Sequence, residues 1–365
     1  MTTTESHISC APGIDRRLRR FFWDAALVSR RDPRLAMLFA RAATRQGGAE
    51  DKRRQWRERG VPVPALLLMS VNRGRERERV GGAPRMTSAE IREVFAESAG
   101  LGVSMVCLGG AEPLSRPELL DIAGQFPELT FVLFTSGALL DDVALSKLEC
   151  YRNIVPVLRL GDPAAVARGR SKSECPPVVE TMAGLQSRRL FFGTSVVITR
   201  SEFALVTSRV FVRRIVGQGC RLLSFAEPGP RKRGGNDDMP TPAQRKVMPL
   251  TVGLLRKEFP AVFLASSADS GRAEGCLAAA RGFVHVNPEG GLEPCPFQPC
   301  FDENVCDAGL RQALRSRLLK EMRERTLSAH ATDSGCASCI AQGRLGSLLQ
   351  GPEQMVAARA DRLVA

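Results

Sequence analysis

Six of the eleven cysteines crowd into the last quarter of the chain, where their spacing could hold a metal ion. The Cys-x2-Cys pair formed by Cys336 and Cys339 is typical of one side of a zinc site or of an iron–sulfur cluster, and four thiolates satisfy either centre. The best four candidates are Cys276, Cys295, Cys336 and Cys339, and Cys300 or Cys306 could replace one of them. The residues leave three interpretations open: one iron–sulfur cluster, one zinc ion, or thiols without a metal.

The stretch 282–297 positions two of these thiols, because it has the pattern of a β-hairpin. Polar and apolar residues alternate with period two beside a Pro-Glu-Gly-Gly turn at 288–291. Cys276 lies shortly before this hairpin and Cys295 shortly after its turn, so folding of the hairpin would bring them together. His285 occupies an alternating position in the first strand, which favours a strand residue over a metal ligand.

Three carboxylates could serve as acid–base groups. Glu76 and Glu78 lie in the polar loop 72–82, which follows an apolar strand at 65–71, and Glu112 follows a second buried strand. The carboxyl ends of strands are where α/β sheets and barrels place their chemistry. The alternating Arg–Glu sequence of the loop instead favours side chains that pair with each other in solvent.

Six apolar segments predict the strands that position these groups, and amphipathic helices fill the gaps between them. The predicted strands are 65–71, 105–108, 130–134, 154–160, 193–199 and 221–225. Thr87 or Ser88 is expected to cap the first of the helices, and Gly100 with Gly102 to end it. Repeated strand–helix units imply a parallel sheet with right-handed crossovers, either doubly wound or closed toward a barrel.

Helical patterns precede the first strand, from residue 13 to residue 59. The pair Gly47–Gly48 is predicted to break the first helix, and a second short helix is predicted from Asp51 to Gly60. Two prolines, Pro62 and Pro64, then lead stiffly into the strand. This segment is expected to be either a helical cap over the strands or an arm that faces a partner, and the sequence does not choose between them.

The formal charge of +13 comes mainly from arginine clusters, such as 16–20, Arg53–Arg54 and 231–233. Basic runs can follow the phosphates of nucleic acid. The chain, however, has one Tyr and two Trp, and no basic run is interleaved with aromatic residues for stacking on bases. Solvated helix faces are therefore favoured, and a basic nucleic-acid-binding protein with a structural zinc is kept as an alternative.

No apolar run reaches the ~18 residues that a membrane span requires, and the first residues do not read as a signal peptide. The expected location is therefore the cytoplasm, without a membrane partner. Eleven cysteines in that compartment argue for reduced thiols or metal ligands. The isolated cysteines are expected to be small core or surface residues. They are Cys10, Cys107, Cys150, Cys175 and Cys220.

The exit from the first strand and the turn after the second resemble two motifs of the radical SAM (S-adenosylmethionine) superfamily. The strand ends in Ser70-Val71-Asn72-Arg73, and the turn reads Gly109-Gly110-Ala111-Glu112-Pro113, similar to the family's Gly-Gly-Glu-Pro turn. The resemblance implies that Gly110, Ala111, Glu112 and Pro113 are a remnant SAM-binding turn, where the backbone approaches the amino group of SAM. Ala111 stands where the family has a second glycine.

The family's loop after the first strand carries Cys-x3-Cys-x2-Cys, which holds an iron–sulfur cluster. At that spacing this chain has Gly74, Glu78 and Gly81, so all three thiolates are absent. The resemblance also implies that polar residues after strands four to six hold the ribose and carboxylate of SAM. The polar residues of this chain near those positions are Arg159, Asp162, Thr194, Ser195 and Thr199. For the Ser and Thr residues, packing within the strand is the favoured explanation.

The C-terminal region resembles the opening of a SPASM or twitch domain, the auxiliary-cluster module of many radical SAM maturases. In that module a cysteine is followed, after roughly 9 to 15 residues, by Gly-x4-Cys. Here Cys276 is followed by 13 residues, Gly290, four more residues and Cys295. No cysteine follows Cys339, which leaves room for one cluster. The resemblance favours a 4Fe–4S cluster over zinc at this site.

The resemblance implies an α/β fold built on a partial (βα)6 TIM-type barrel at 62–270. An N-terminal helical segment would occupy 1–61, a small cysteine-rich module of β-hairpin plus helix 271–345, and a tail 346–365. A radical reaction needs an iron that three thiolates hold and that keeps one position open for SAM. The expectation is therefore a degenerate radical SAM-like protein with one C-terminal metal site, which acts as a non-catalytic binding or scaffold subunit.

Such a subunit would serve an active enzyme or bind a peptide substrate. The sequence leaves open whether SAM still binds. It also leaves open the alternative that the barrel mouth performs unconventional chemistry as an enzyme.

Overall fold

A pair of helices opens the part of the chain that the computed structural model describes. That part comprises residues 13–73, 85–168, 177–228, 238–266, 278, 280–297 and 299–328. Helix α1 spans Ile14–Val28 and helix α2 spans Pro33–Glu58. Asp32 caps α2, because its carboxylate accepts hydrogen bonds from the backbone N–H groups of Arg34 and Leu35 at 3.0 and 3.2 Å. Among the helices in these ranges, none is both long and apolar enough to cross a bilayer.

Helix α2 continues through Gly47 and Gly48, so the predicted break and the separate short helix are wrong. Each glycine costs roughly 1 kcal/mol relative to alanine inside a helix. Buried side chains lie on both sides of the pair, at Phe39 and Ala43 before it and at Arg53 after it. Packing of this face therefore outweighs the local preference of the two glycines.

Nine strands in the described ranges form one sheet. They are β1 (Leu66–Ser70), β2 (Met105–Gly109), β3 (Thr130–Thr135), β4 (Ile154–Leu160), β5 (Gly193–Val197), β6 (Leu222–Ala226), β7 (Val262–Ser266), β8 (Phe283–Val286) and β9 (Leu292–Glu293). The remaining helices are α3 (Ser88–Leu101), α4 (Leu119–Gly124), α5 (Asp142–Cys150), α6 (Pro163–Arg168), α7 (Pro177–Ser187), α8 (Phe203–Val206), α9 (Arg209–Gly217), α10 (Pro242–Glu258), α11 (Val305–Ala313) and α12 (Arg317–Ser328).

Helix α3 begins and ends where the sequence predicts. The Thr87 hydroxyl accepts a hydrogen bond from the Glu90 N–H at 3.2 Å, and the Glu90 carboxylate accepts one from the Thr87 N–H at 2.6 Å. This reciprocal pair is a capping box. Gly102 ends the helix with a φ of +91°, a left-handed conformation that favours glycine.

The strands follow the order β7-β6-β5-β4-β3-β2-β1-β8-β9. Neighbouring strands from β7 to β8 are parallel, whereas β9 runs antiparallel to β8. All six predicted strands are present, and β7 is a seventh that the sequence pattern did not indicate. The predicted hairpin at 282–297 is formed by β8 and β9, but β8 also pairs with β1. The hairpin therefore extends the main sheet.

The crossover helices in the described ranges lie on one face of the sheet. That face carries residues such as Val106, Phe131 and Leu223, which share one core with the buried sides of α3 to α10. The opposite face carries Met105 and Val132, which pack with α1 and α2. In a doubly wound sheet the crossover helices lie on both faces, whereas in a barrel they all lie on the outer face. The predicted partial TIM-type barrel is confirmed, and the N-terminal helices cover its inner face at the amino ends of the strands.

Arg53 of α2 is buried, with 2% of its surface exposed. Its guanidinium donates to the Ser104 hydroxyl at 2.9 Å, to the carbonyl oxygen of Gly102 and to the carboxylate of Asp15. The interpretation of this arginine cluster as a solvated face is therefore wrong for Arg53, although its neighbour Arg54 is exposed. The buried charge ties α1 and α2 to the residues that lead into β2.

Candidate functional site

The turn after β2 is held by one side chain from the segment after β1. Asn72 is buried, and its Oδ1 accepts hydrogen bonds from the N–H groups of Ala111 and Glu112 at 2.9 and 3.3 Å. Its Nδ2 donates to the Glu112 carbonyl oxygen at 2.5 Å and to the Ser115 hydroxyl at 2.7 Å. The two segments at the carboxyl ends of β1 and β2 are therefore one hydrogen-bonded unit.

Gly110 is the residue that allows this close approach. Its φ is +114°, and a Cβ at this position would lie 2.6 Å from Asn72 Oδ1 and 2.7 Å from the Asn72 carbonyl oxygen. Both the backbone conformation and the available space therefore require glycine. The four predicted turn residues, Gly110, Ala111, Glu112 and Pro113, lie together here, and their role toward SAM stays a prediction.

The carboxylate of Glu112 fastens the turn to the end of β3. Oε1 accepts from the Thr135 hydroxyl at 2.7 Å and from the Leu114 N–H at 3.3 Å, and Oε2 accepts from the Ser136 N–H and hydroxyl at 2.8 and 2.6 Å. Burial by itself raises the pKa of Glu112, but the hydrogen bonds from Ser136, Thr135 and Leu114 outweigh it and lower the pKa below its ordinary value. These bonds favour a structural anion over an acid–base group.

Replacing Glu112 with glutamine is expected to lower the free energy of unfolding by about 2 kcal/mol at pH 7, because an amide N–H group would face the Ser136 donors. A carboxyl whose pKa is lowered by folding stabilises the fold above its unfolded-state pKa, and this contribution is lost as the pH falls through the folded-state pKa. The difference between wild type and Glu112→Gln should therefore shrink in acid. Urea unfolding across a pH series measures it, and a difference that is constant with pH would contradict the assignment.

Arg159 reaches from the end of β4 to the same turn. Its guanidinium donates to the Gly110 carbonyl oxygen at 3.4 Å and to the Ala111 carbonyl oxygen, and lies 3.7 Å from Glu112 Oε2. The side chain keeps 42% of its surface exposed. Ser195 of β5 stands beside Arg159 in the strand register, so both occupy the inner face. The structure thus brings Arg159 of β4 into contact with the turn.

Thr194, the other predicted polar residue of β5, points away from this mouth. It is fully buried, and its hydroxyl lies 3.7 Å from the sulfur of Cys220, which belongs to the helix-covered core. Packing within the strand therefore explains Thr194, as the sequence favours.

A second group of polar side chains crosses β1, β8 and β9 on the inner face. Ser70 Oγ lies 2.9 Å from His285 Nε2, and His285 Nδ1 lies 2.7 Å from Glu293 Oε2. Asn287 Nδ2 donates to the other oxygen of Glu293 at 2.9 Å. The predicted assignment of His285 as a strand residue agrees with its place in β8. Sequence reasoning did not find this row of hydrogen-bonded side chains, because only the pairing of β8 with β1 puts Ser70 beside His285.

The hairpin turn also anchors the start of the loop after β1. Arg73 Nε lies 2.7 Å from the carboxylate of Glu289, and Asn287 Oδ1 accepts from the N–H groups of Glu289 and Gly291 at 3.1 and 2.8 Å. Gly74, Glu78 and Gly81, the three positions of the family's cluster motif, lie outside the described residues, as does Glu76.

Three of the six candidate thiols lie in the described ranges, whereas Cys276, Cys336 and Cys339 lie outside them. Cys295 is buried just after β9, with 3% of its surface exposed. Cys300 and Cys306 are half-buried against the main core.

Cys306 also lies close to the hairpin turn, because a Cβ on Gly290 would come within 2.6 Å of its sulfur. Within the described part of the chain, no three His, Cys, Asp or Glu side chains come together in a way that could hold a metal. The ligand set therefore stays a prediction.

Burial sets the reactivity of the isolated thiols, since it raises the pKa of Cys220 to about 11 and that of Cys107 to about 12. Cys150 of α5 is exposed. Because the thiolate is the nucleophile, iodoacetamide at pH 8 is expected to alkylate Cys150 at least ~100-fold faster than Cys220. Peptide mass spectrometry measures both rates. In denaturant the two rates should converge, and equal rates in the native protein would contradict the packing described here.

No protein-family model matches the chain, and no curated protein matches it in sequence. Solved structures do match in fold. Streptococcus suis SuiB bound to S-adenosylmethionine aligns with a TM-score of 0.59 at 13% identity, over 76% of this chain and 72% of SuiB. SuiB bound to its precursor peptide SuiA gives 0.56 at 12% identity, over 81% and 73% of the two chains. Native anSMEcpe with bound AdoMet and the Cp18Cys peptide gives 0.53 at 13% identity, over 76% and 87%.

These similarities establish the architecture that the sequence motifs imply. The chain has the fold of the radical SAM superfamily. At 12–13% identity the likeness concerns the fold alone.

Proposed function

We propose that this protein is a radical SAM-like binding or scaffold subunit that does not cleave SAM and that carries one C-terminal metal site. The observation that carries the proposal is the composition of the loop after β1. No cysteine occurs between Cys10 and Cys107, so the positions that match the cluster motif, Gly74, Glu78 and Gly81, have no thiol near them in sequence. Glycine offers no ligand atom, and one glutamate does not hold an iron–sulfur cluster, whose ligands are thiolates.

The turn after β2 is also a poor fit for SAM. If the amino group of SAM approached this turn, as the resemblance implies, it would meet oxygen atoms to which a cationic side chain already donates hydrogen bonds. Arg159 donates to the carbonyl oxygens of Gly110 and Ala111 and lies near the Glu112 carboxylate. The sulfonium and amino groups of SAM are cationic, so they would have to displace Arg159 from these oxygens against charge repulsion, whereas the carboxylate of SAM could pair with the same guanidinium. This arrangement supports weakened SAM binding in the orientation that the resemblance implies, together with loss of the cluster.

A peptide is the proposed partner. Solved structures with the same fold include SuiB with the precursor peptide SuiA and anSMEcpe with the Cp18Cys peptide. A barrel that keeps its framework without a SAM-cleaving cluster could still hold such a chain for an active enzyme. Selection of a random peptide display library on the full protein should enrich a consensus sequence. Enrichment no better than on the unfolded protein would count against the binding role.

The C-terminal metal site would use Cys276, Cys295, Cys336 and Cys339, with Cys300 or Cys306 as a substitute. An iron–sulfur cluster is proposed first, and zinc is the alternative that the same donors could hold. Iron, sulfide and zinc contents of anaerobically purified protein distinguish the two. The paired substitution Cys336→Ser and Cys339→Ser should abolish the bound metal, whereas Cys150→Ser should not, and metal-free wild-type protein would end this part of the proposal.

The loss of SAM cleavage is tested by anaerobic reconstitution with iron, sulfide and a strong reductant, followed by addition of SAM. The expected result is no 5′-deoxyadenosine. A matched variant in which Gly74, Glu78 and Gly81 are all replaced by cysteine asks whether the missing thiolates alone explain this. Release of 5′-deoxyadenosine by the wild-type protein would overturn the proposed function.

A further inference from the structure

The pairing of three strands sets Ser70, His285 and Glu293 in one row. His285 is the register partner of Leu68 on β1 and of Glu293 on β9. Side chains two residues apart on a strand share a face, so Ser70 lies on the same face as Leu68, one step closer to the carboxyl end. Val284 and Val286, which flank His285, pack in the helix-covered core, and His285 therefore faces the barrel interior.

With Glu293 ionised and the ring neutral, the contacts assign a role to each nitrogen of the imidazole. Glu293 is buried, one of its oxygens accepts from Asn287 Nδ2, and the other lies 2.7 Å from His285 Nδ1. An ionised carboxylate only accepts, so Nδ1 carries the proton in this pair. In the neutral ring Nε2 is then an acceptor, and the Ser70 hydroxyl at 2.9 Å donates to it.

We propose that Ser70, His285 and Glu293 form a nucleophilic site that takes an acyl group from a carboxylic ester or thioester. The order of hydroxyl, imidazole and carboxylate is that of a serine nucleophile, its general base and the group that orients the base. Ser70 is half-buried and ends β1 at the mouth of the barrel, where parallel strands expose their reactive groups. Asn287 and Glu293 are buried behind His285, which keeps the carboxylate in place.

The reaction balances with water as the only co-reactant. Ser70 Oγ bonds to the acyl carbon as its proton passes to His285 Nε2, and the bond to the leaving alkoxide or thiolate breaks as that group takes the proton. Water, deprotonated by His285, then attacks the acyl-serine and releases the acid and the free hydroxyl. Glu293 stays ionised throughout and stabilises the imidazolium. This activity goes beyond the proposed binding role and does not depend on it.

A fluorophosphonate probe on the intact, full-length protein tests the proposal, because it phosphonylates activated serines. Tandem mass spectrometry should find the adduct on Ser70, with labelling absent in Ser70→Ala. The labelling rate should fall at least ~100-fold in His285→Gln. It should also fall at least ~100-fold in Glu293→Gln, where the amide N–H group can face Nδ1 and force the wrong tautomer of the imidazole. Ser224, an inner-face serine on β6, serves as the control, and Ser224→Ala should label at the wild-type rate.

A second measurement keeps the result interpretable if a substitution disturbs folding. Wild-type protein mixed with p-nitrophenyl acetate should release a burst of about one p-nitrophenol per chain, with an acetyl group recovered on Ser70. No adduct on Ser70 from either reagent in folded wild-type protein would overturn the proposal. Equal labelling rates of wild type and a folded His285→Gln variant would also overturn it.

Discussion

Replacing Gly110 with alanine is expected to lower the free energy of unfolding by about 3 kcal/mol, the largest effect among single substitutions at the barrel mouth. A non-glycine residue held at a left-handed φ costs about 1–3 kcal/mol, and steric overlap in a packed site adds a similar amount. Here the φ is +114°, and the new Cβ would meet both the side chain and the carbonyl oxygen of Asn72 at 2.6 and 2.7 Å. Because Asn72 holds Ala111 and Glu112, the damage would spread through the turn.

Gly109 provides the matched control for this prediction. It is the neighbouring glycine, and a Cβ there would meet no atom within 4 Å. The free energies of unfolding of Gly110→Ala and Gly109→Ala, measured in urea, should therefore differ by most of the loss predicted for Gly110→Ala. Equal stability of the two variants would mean that Asn72 does not approach the turn as closely as described.

Replacing Arg53 with methionine should destabilise the protein by about 3 kcal/mol, because it removes the hydrogen bonds of a buried guanidinium and leaves the half-buried Asp15 carboxylate without its partner. Arg53 is 2% exposed and donates to the Asp15 carboxylate, the Ser104 hydroxyl and the Gly102 carbonyl oxygen. Methionine approximates the length of the arginine stem, so the loss would come from the missing hydrogen bonds rather than from a cavity. Thermal and urea unfolding measure the effect.

The next residue in sequence offers the control, since Arg54 is an exposed arginine on the same helix. Its pair with Asp51 is a surface contact, and Arg54→Met should change the stability little. The double variant Asp15→Leu with Arg53→Met should recover part of the stability, because it removes both charges of the pair. If Arg53→Met and Arg54→Met behave alike, the buried location of Arg53 is wrong.

The inner face of the partial barrel is divided between packing and chemistry. At the amino ends of the strands, apolar residues such as Met105 and Leu222 pack with the two N-terminal helices. Toward the carboxyl ends the same face presents Ser70, Arg159 and Ser195, and these side chains are half-buried or exposed. A single sheet thus has an apolar inner face at one end and a polar one at the other, and the proposed nucleophilic site lies at the polar end.

Local sequence patterns determined the elements of this fold because they act over a few residues. Period-two and continuous apolar runs located six of the strands, and the Thr87 cap and the Gly102 stop located α3 to within a residue. The turn at Gly110 was found through its resemblance to the family's Gly-Gly-Glu-Pro motif, and the structure shows that its conformation requires glycine. The absence of thiolates at Gly74, Glu78 and Gly81 is likewise a property of the sequence, because packing does not change the identity of these residues.

Contacts between distant segments were decided only by the tertiary structure. Burial of Arg53 and the continuous course of α2 through Gly47–Gly48 depend on packing against the sheet, which outweighs local charge and propensity. The winding of all described crossovers on one side of the sheet is also a tertiary property, and the parallel pairing of β8 with β1 joins residues more than 200 positions apart. Periodicity does not indicate which strands are neighbours. The sequence therefore identified His285 as a strand residue, and only the sheet placed it between Ser70 and Glu293.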